Sequence, residues 1–127
     1  MGLPRGPPHP DALIVADFFV VAEEEIVLAF RMVGVDGRAA SGREEALDAF
    51  RSATGTGADP SGRPYRSRGV KVLILTEDVA DMLESEALEW QLAGGFPLIV
   101  EIPSQGRPRP GRKSLVALVR EAVGVGI

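Results

Sequence analysis

Three short, almost continuous apolar runs constrain this chain more than any other feature: Ala12–Ala16 (Ala-Leu-Ile-Val-Ala), Val70–Leu75 (Val-Lys-Val-Leu-Ile-Leu) and Leu98–Ile102 (Leu-Ile-Val-Glu-Ile). Runs of this length without strict apolar/polar alternation are the pattern of strands covered on both faces. Each is followed by a segment with helical spacing. Ala22–Val33 places Ile26, Phe30 and Val33 on one side, with Glu23–Glu25 in a first turn where the helix dipole favours acids, and Gly34 as a stop. Val35–Ala40 is a weaker strand, broken by Asp36-Gly37-Arg38, and is expected at a sheet edge. Ser41 and Glu44 have the spacing of a capping box that opens a helix with Ala46, Leu47 and Phe50 inward.

The second half repeats the pattern. Thr76 is placed to cap a helix over Glu77–Leu92 whose apolar stripe is Val79, Met82, Leu83, Ala87 and Trp90, ended by Gly94-Gly95. Pro103 stops the last strand, and Ser114–Val123 is a final helix before Gly124. Strand followed by helix, four times over, specifies crossover connections between parallel strands. The expected fold is therefore α/β: a small four-stranded, mostly parallel sheet with helices on both faces, a flavodoxin- or receiver-like sandwich. Its expected divisions are a flexible Pro-rich leader (1–11), an α/β domain (12–103) with an exposed insertion (53–69), a basic hinge loop (104–113), and a C-terminal partner-engaging helix (114–127).

Composition removes whole classes of function. A chain of 127 residues fits one domain with one core. Its net charge of −4 argues against a dedicated nucleic-acid binder, which needs a cationic excess. Cysteine is absent, and with it thiolate catalysis and thiolate zinc sites. The single histidine, His9, lies in the Pro/Gly-rich leader, away from any partner for a triad or a metal. No apolar run approaches the ~18 residues of a membrane span, and Met1–Pro10 lacks the apolar stretch of a secretory signal. The expectation is a soluble cytoplasmic protein with no catalytic residues, no cofactor and no metal.

In a doubly wound sheet ligands bind beyond the carboxyl ends of the strands. The residues expected there are Asp17, Thr76-Glu77-Asp78 and Pro103-Ser104. A phosphoreceiver needs clustered acids after the first strand, a phosphorylatable Asp after the third and a Lys near the last. Asp17 meets the first need, whereas Asp78 falls inside a helix turn and Lys113 stands well past Ile102. Gly55-Thr56-Gly57 lacks the strand-to-helix context and the Gly-Lys-Ser/Thr of a phosphate loop, so it reads as an ordinary loop. Arg107, Arg109, Arg112 and Lys113 form a basic cluster open to either an electrostatic contact or simple solvation. Glu77–Leu92 carries six acids and no Lys or Arg, a face that suits solvation or steering toward a basic partner. The last helix is more specific. Leu115, Val116, Leu118, Val119, Ala122 and Val123 occupy most of its circumference, more apolar surface than one small sheet covers, so the excess is expected to meet a partner.

Four segments carry a family resemblance. Ala29-Phe30-Arg31-Met32-Val33-Gly34-Val35 resembles the pattern that closes the first helix of the F subunit of V/A-type (vacuolar/archaeal-type) rotary ATPases. Val72–Leu83, with Ile74-Leu75-Thr76-Glu77-Asp78-Val79-Ala80, is similar to that family's third strand and the start of its third helix. Pro97–Ser104 resembles its fourth strand, and Ser114-Leu115-Val116 through Arg120-Glu121-Ala122-Val123-Gly124 its terminal helix. The resemblance implies a non-catalytic component of the central rotor stalk. Such a component docks on the long coiled coil of the rotor's D subunit, while ATP is turned over in the A/B ring, at the cytoplasmic face of the membrane. It also implies a mobile C-terminal segment linked to regulation, which makes Leu115, Val116, Leu118, Val119 and Val123 the candidate partner-binding residues. The alternative is a degenerate receiver-like signalling or small-ligand-binding module of similar fold.

Overall fold

A computed structural model describes residues 17–104 and 115–123, including the side chains of all of these except 115–118. The strands are β1 (Phe18–Ala22), β2 (Asp36–Ala39), β3 (Val72–Thr76) and β4 (Leu98–Ile102). The helices are α1 (Glu24–Met32), α2 (Arg43–Thr54), α3 (Glu77–Met82), α4 (Glu84–Ala93) and α5 (Leu115–Ala122). All strand pairs are parallel, in the order β2-β1-β3-β4. The chain therefore steps outward from the centre in both directions, and its topological switch point lies between β1 and β3. This is the expected α/β sandwich.

The first strand is not where the apolar runs alone put it. The central position, paired with β2 on one side and β3 on the other, is held by Phe18–Ala22, and Ala12–Ala16 lies outside the described residues. Two apolar runs separated only by Asp17 compete for that place, and periodicity cannot choose between them. Phe18–Ala22 wins it with aromatic and β-branched side chains, four of its five residues being buried, and with acids next in line to start α1.

Two other local expectations are corrected. The segment Glu77–Leu92 is two helices, because Leu83 (φ −113°, ψ 26°) leaves helical geometry between α3 and α4. Leu83 is itself fully buried, so the kink serves packing, with no glycine or proline to announce it. The capping box of Ser41 and Glu44 does not form. Gly42 occupies the N-cap of α2, and the Ser41 hydroxyl donates to the Glu45 carboxylate at 2.7 Å.

The two faces of the sheet are covered unequally. On one, Phe19, Val21, Leu73, Leu75 and Ile99 meet α2, α3 and α4 in a core of fifteen buried residues, with Trp90 set edge-on to Phe50. On the other, α1 alone packs among the described helices, and five residues are buried: Val20, Ala22, Val27, Val35 and Ile74. Gly37 of β2 sits opposite Val20 of β1, where a Cβ would stand 2.3 Å from the Val20 carbonyl oxygen, so the position admits only glycine without movement of the strands.

The connection from α2 to β3 begins at Gly55, whose left-handed φ of 72° ends the helix. It is tied back by a short antiparallel bridge between Ala58 and Pro64 and by Tyr65, whose hydroxyl donates to Asp48 at 2.6 Å. Arg68 closes it over the Phe19 ring, 4.7 Å from the centroid.

Candidate partner-docking surface

At the carboxyl ends of the central strands, the place a small ligand would use, the layout departs from the receiver pattern. Asp17 precedes β1 and belongs to the opposite end of the sheet, where its carbonyl accepts the N–H groups of Lys71 (2.8 Å) and Val72 (3.1 Å). The residue that follows β1 is Glu23, the N-cap of α1, whose carbonyl accepts from Ile26 and Val27. Its carboxylate oxygens, and the hydroxyl of Thr76 at the end of β3, are buried with no hydrogen-bond partner among the described residues. Thr76 holds the N-cap position of α3 but makes no side-chain cap. That part is taken by Ser104, whose Oγ accepts the Asp78 N–H at 2.8 Å and so ties the end of β4 to α3. An N–H committed in this way is not on offer to an incoming anion. Among the described residues no group of three or more His, Cys, Asp or Glu side chains is arranged to hold a metal ion. Gly55-Thr56-Gly57 is a helix end, with the Thr54 and Thr56 hydroxyls 2.8 Å apart. A groove of about 330 Å³ lies between α2 and α4, lined among others by Phe50, Trp90, Arg51 and Glu89.

Some outward backbone groups at the edges of the sheet are taken up by side chains. Parallel pairing leaves alternate N–H and C=O groups of an edge strand unbonded, a template for another chain. Just ahead of β4 the Pro97 carbonyl accepts from Trp90 Nε1 (2.7 Å), and on β4 the Ile99 carbonyl accepts from Gln91 Nε2 (3.2 Å). On β2, the Gly37 carbonyl accepts from Arg31 Nη2 (2.8 Å), and the Gly37 N–H donates to Asp36 Oδ1 (2.8 Å). These bonds occupy part of each edge and make strand addition there less favourable. The acidic helical segment is partly neutralised from within, since the Arg43 guanidinium pairs with Glu86 and holds its carboxyl below the usual range.

The C-terminal helix lies beside α4. Of the five candidate residues, Val119 is half-buried and Val123 is 51% exposed. The side chains of Leu115, Val116 and Leu118 lie outside the described residues, as do the leader 1–11, the basic cluster Arg107–Lys113 and residues 124–127. Sequence reasoning missed Trp90, Gln91 and Arg31 as edge caps, because which carbonyl a side chain reaches is settled by tertiary placement alone. It also missed the exposed Leu98 and Val100. Every second residue of β4 faces away from the larger core, and that period was legible in Leu-Ile-Val-Glu-Ile once its neighbours were known.

Fold and surface together define a doubly wound α/β domain with partly capped edge strands and a terminal helix set beside α4. Residues 18–119 match the family profile described as ATP synthase (F/14-kDa) subunit, from the first residue of β1 into α5. The chain belongs to that family, so it is an F subunit of the V/A-type ATP synthase kind and has its place in a rotary ATPase complex. Neither the curated proteins nor the solved structures gave a significant match. No helix among the described residues is long and apolar enough to cross a membrane.

Proposed function

We propose that this chain is a non-catalytic component of the central rotor stalk, docked on the coiled-coil D subunit of the rotor and coupling or regulating ATP hydrolysis or synthesis with ion transport. In this reading the A/B ring turns over the nucleotide, and the chain works at the cytoplasmic face as part of the peripheral sector. The observation that carries the proposal is the family match, which runs through every strand and into α5. Two features of the surface support it. The end of α5 is exposed, as is Val123 directly after it, so apolar area remains for a partner. The side-chain caps on part of each sheet edge favour a helical partner over an added strand.

A rotor component transmits torque through fixed packed contacts and needs no reacting groups. It can bias rotation if one element has two docked positions. The proposed element is the segment 114–127, with 104–113 as its hinge and Leu115, Val116, Leu118, Val119 and Val123 as the contact. Co-expression with the coiled-coil rotor partner, followed by size-exclusion chromatography with light scattering, tests this. A 1:1 complex is expected. It should weaken at least about tenfold when Leu118→Asp and Val119→Asp are combined, the effect of burying charge in an apolar contact. A well-folded chain that ignores the coiled coil would overturn the docking proposal, and an unaffected double variant would move the contact elsewhere.

A further inference from the structure

The groove between α2 and α4 takes its apolar lining from Leu47, Phe50, Trp90 and Ala93. The Trp90 ring is fixed there before anything binds. Its Nε1 donates to the Pro97 carbonyl at 2.7 Å, and the ring stands edge-on to Phe50, with centroids 6.3 Å apart. A half-buried aromatic ring held from two sides loses little freedom when a partner covers it, which is what makes such rings anchors of binding surfaces. Leu47 is half-buried as well, one turn before Arg51 on the same side of α2.

The charged lining has one dominant sign. In the groove Glu86 and Glu89 stand against Arg51. A second hollow, of about 270 Å³, adjoins it at Leu47 and Arg51 and adds Glu44, Asp48 and Asp59. Two of these acids are answered from within, Glu86 by Arg43 and Asp48 by Arg38. Glu44 and Glu89 are exposed and have no ion-pair partner among the described residues. The helices α3 and α4 add to the same field, since Glu77–Ala93 carries six acids and no Lys or Arg. A phosphate or nucleotide would meet repulsion here, and a cation attraction. A lone metal ion would find no set of three His, Cys, Asp or Glu side chains among the described residues. A groove with a helix on either side is the seat for the side-chain ridge of a third helix.

We propose that the groove between α2 and α4 docks a cationic amphipathic helix of a partner protein. An apolar side chain of that helix enters between Leu47, Phe50 and Trp90, and a Lys or Arg one turn along meets Glu89 and the Trp90 ring. This partner is defined by charge and shape alone, and its docking does not depend on the contact at α5.

Trp90 is the only tryptophan of the chain and so reports on the groove directly. The full-length chain is titrated with an amphipathic peptide of about 14 leucines and lysines, and in parallel with one in which glutamate replaces lysine. The lysine peptide should shift the Trp90 emission to saturation and bind at least about tenfold more tightly than the glutamate peptide, and the difference should shrink at high salt. Glu89→Arg should weaken binding about tenfold. Glu25→Arg makes the same change of net charge at an exposed position on α1, across the sheet, and should leave binding unchanged. Ala93→Gln fills the groove without altering its charge and should weaken binding as well. An unmoved emission or equal binding of the two peptides would overturn the proposal. So would equal losses from Glu89→Arg and Glu25→Arg, or full binding by Ala93→Gln, since either would show that overall charge and not the groove attracts the peptide. All three substitutions lie at exposed positions, and unchanged far-ultraviolet spectra check that each variant is folded.

Discussion

The two faces of this sheet are made from the same strands and do different jobs. Toward α2, α3 and α4, alternate residues of β1, β3 and β4 enter a core with little exposed apolar surface, and Leu73, Leu75, Val79 and Leu83 are fully buried. Toward α1, the neighbouring residues of the same strands grade from buried Val20 and Ile74 to exposed Leu98 and Val100. Stability is thus concentrated on one side and apolar surface remains available on the other. For a protein placed in a rotary assembly that division is useful, since a surface whose loss leaves the core intact is free to engage other elements.

The two faces should respond very differently to the same deletion. Leu75→Ala removes a fully buried side chain and should cost about 2–5 kcal/mol, the range for core leucines whose cavity does not collapse. Leu98→Ala, half exposed, should cost about 1 kcal/mol or less. Equilibrium denaturation in urea measures both. Similar values would mean that the second face is packed as tightly as the first and that the division does not exist.

That contrast also marks what the sequence could and could not reveal. β3 and β4 were legible because each is an isolated apolar run with a clear signal after it, the helix start Thr76-Glu77-Asp78 for one and a proline stop for the other. The first strand was misplaced because two apolar runs adjoin at Asp17, and only pairing with β2 and β3 distinguishes them. That error carried Asp17 to the wrong end of the sheet and gave the receiver alternative a residue it does not have there. The break at Leu83 leaves no local trace, since its cause is the burial of that side chain between helices. The candidate contact on α5 rests on the excess of apolar residues in the sequence. The caps on the sheet edges were not legible, because Arg31, Trp90 and Gln91 find their carbonyls only once the layers are assembled.

Those caps allow a second comparison, between the edges. Gln91→Leu keeps the bulk of the side chain and removes the donor to Ile99, and Trp90→Phe removes the donor to Pro97 while leaving a ring near Phe50. Each should cost about 1 kcal/mol, the net worth of one hydrogen bond. The more telling effect is on association. With both donors gone, β4 should present a free edge, and light scattering should rise with protein concentration. Arg31→Met does the same to β2 at Gly37, where Gly37 retains its bond to Asp36, so the response there should be weaker. Equal monodispersity of all variants would mean that the helices, and not these bonds, keep the edges closed.

The smallest expected effect concerns pH and lies on the well-covered side, where the loop after α2 is tied to Asp48. The Tyr65 hydroxyl, and after it the Arg38 guanidinium at 2.9 Å, hold the Asp48 carboxyl below the usual carboxylate range. The same bond pushes the Tyr65 hydroxyl above its ordinary value. A carboxyl whose pKa is lower in the folded state contributes stability above its unfolded value, about 4, and that contribution is lost as pH falls through the folded value. For the tyrosine the sign reverses: its contribution is present below about 10 and is lost as pH rises through its higher folded value. Asp48→Asn should therefore lower Tm at neutral pH and flatten the decline of Tm on the acid side, whereas Tyr65→Phe should flatten both limbs. Because Leu98 and Val100 have no part in this network, Leu98→Ala should shift the whole Tm profile without changing its shape. A change of shape in that variant would show that the two faces are coupled.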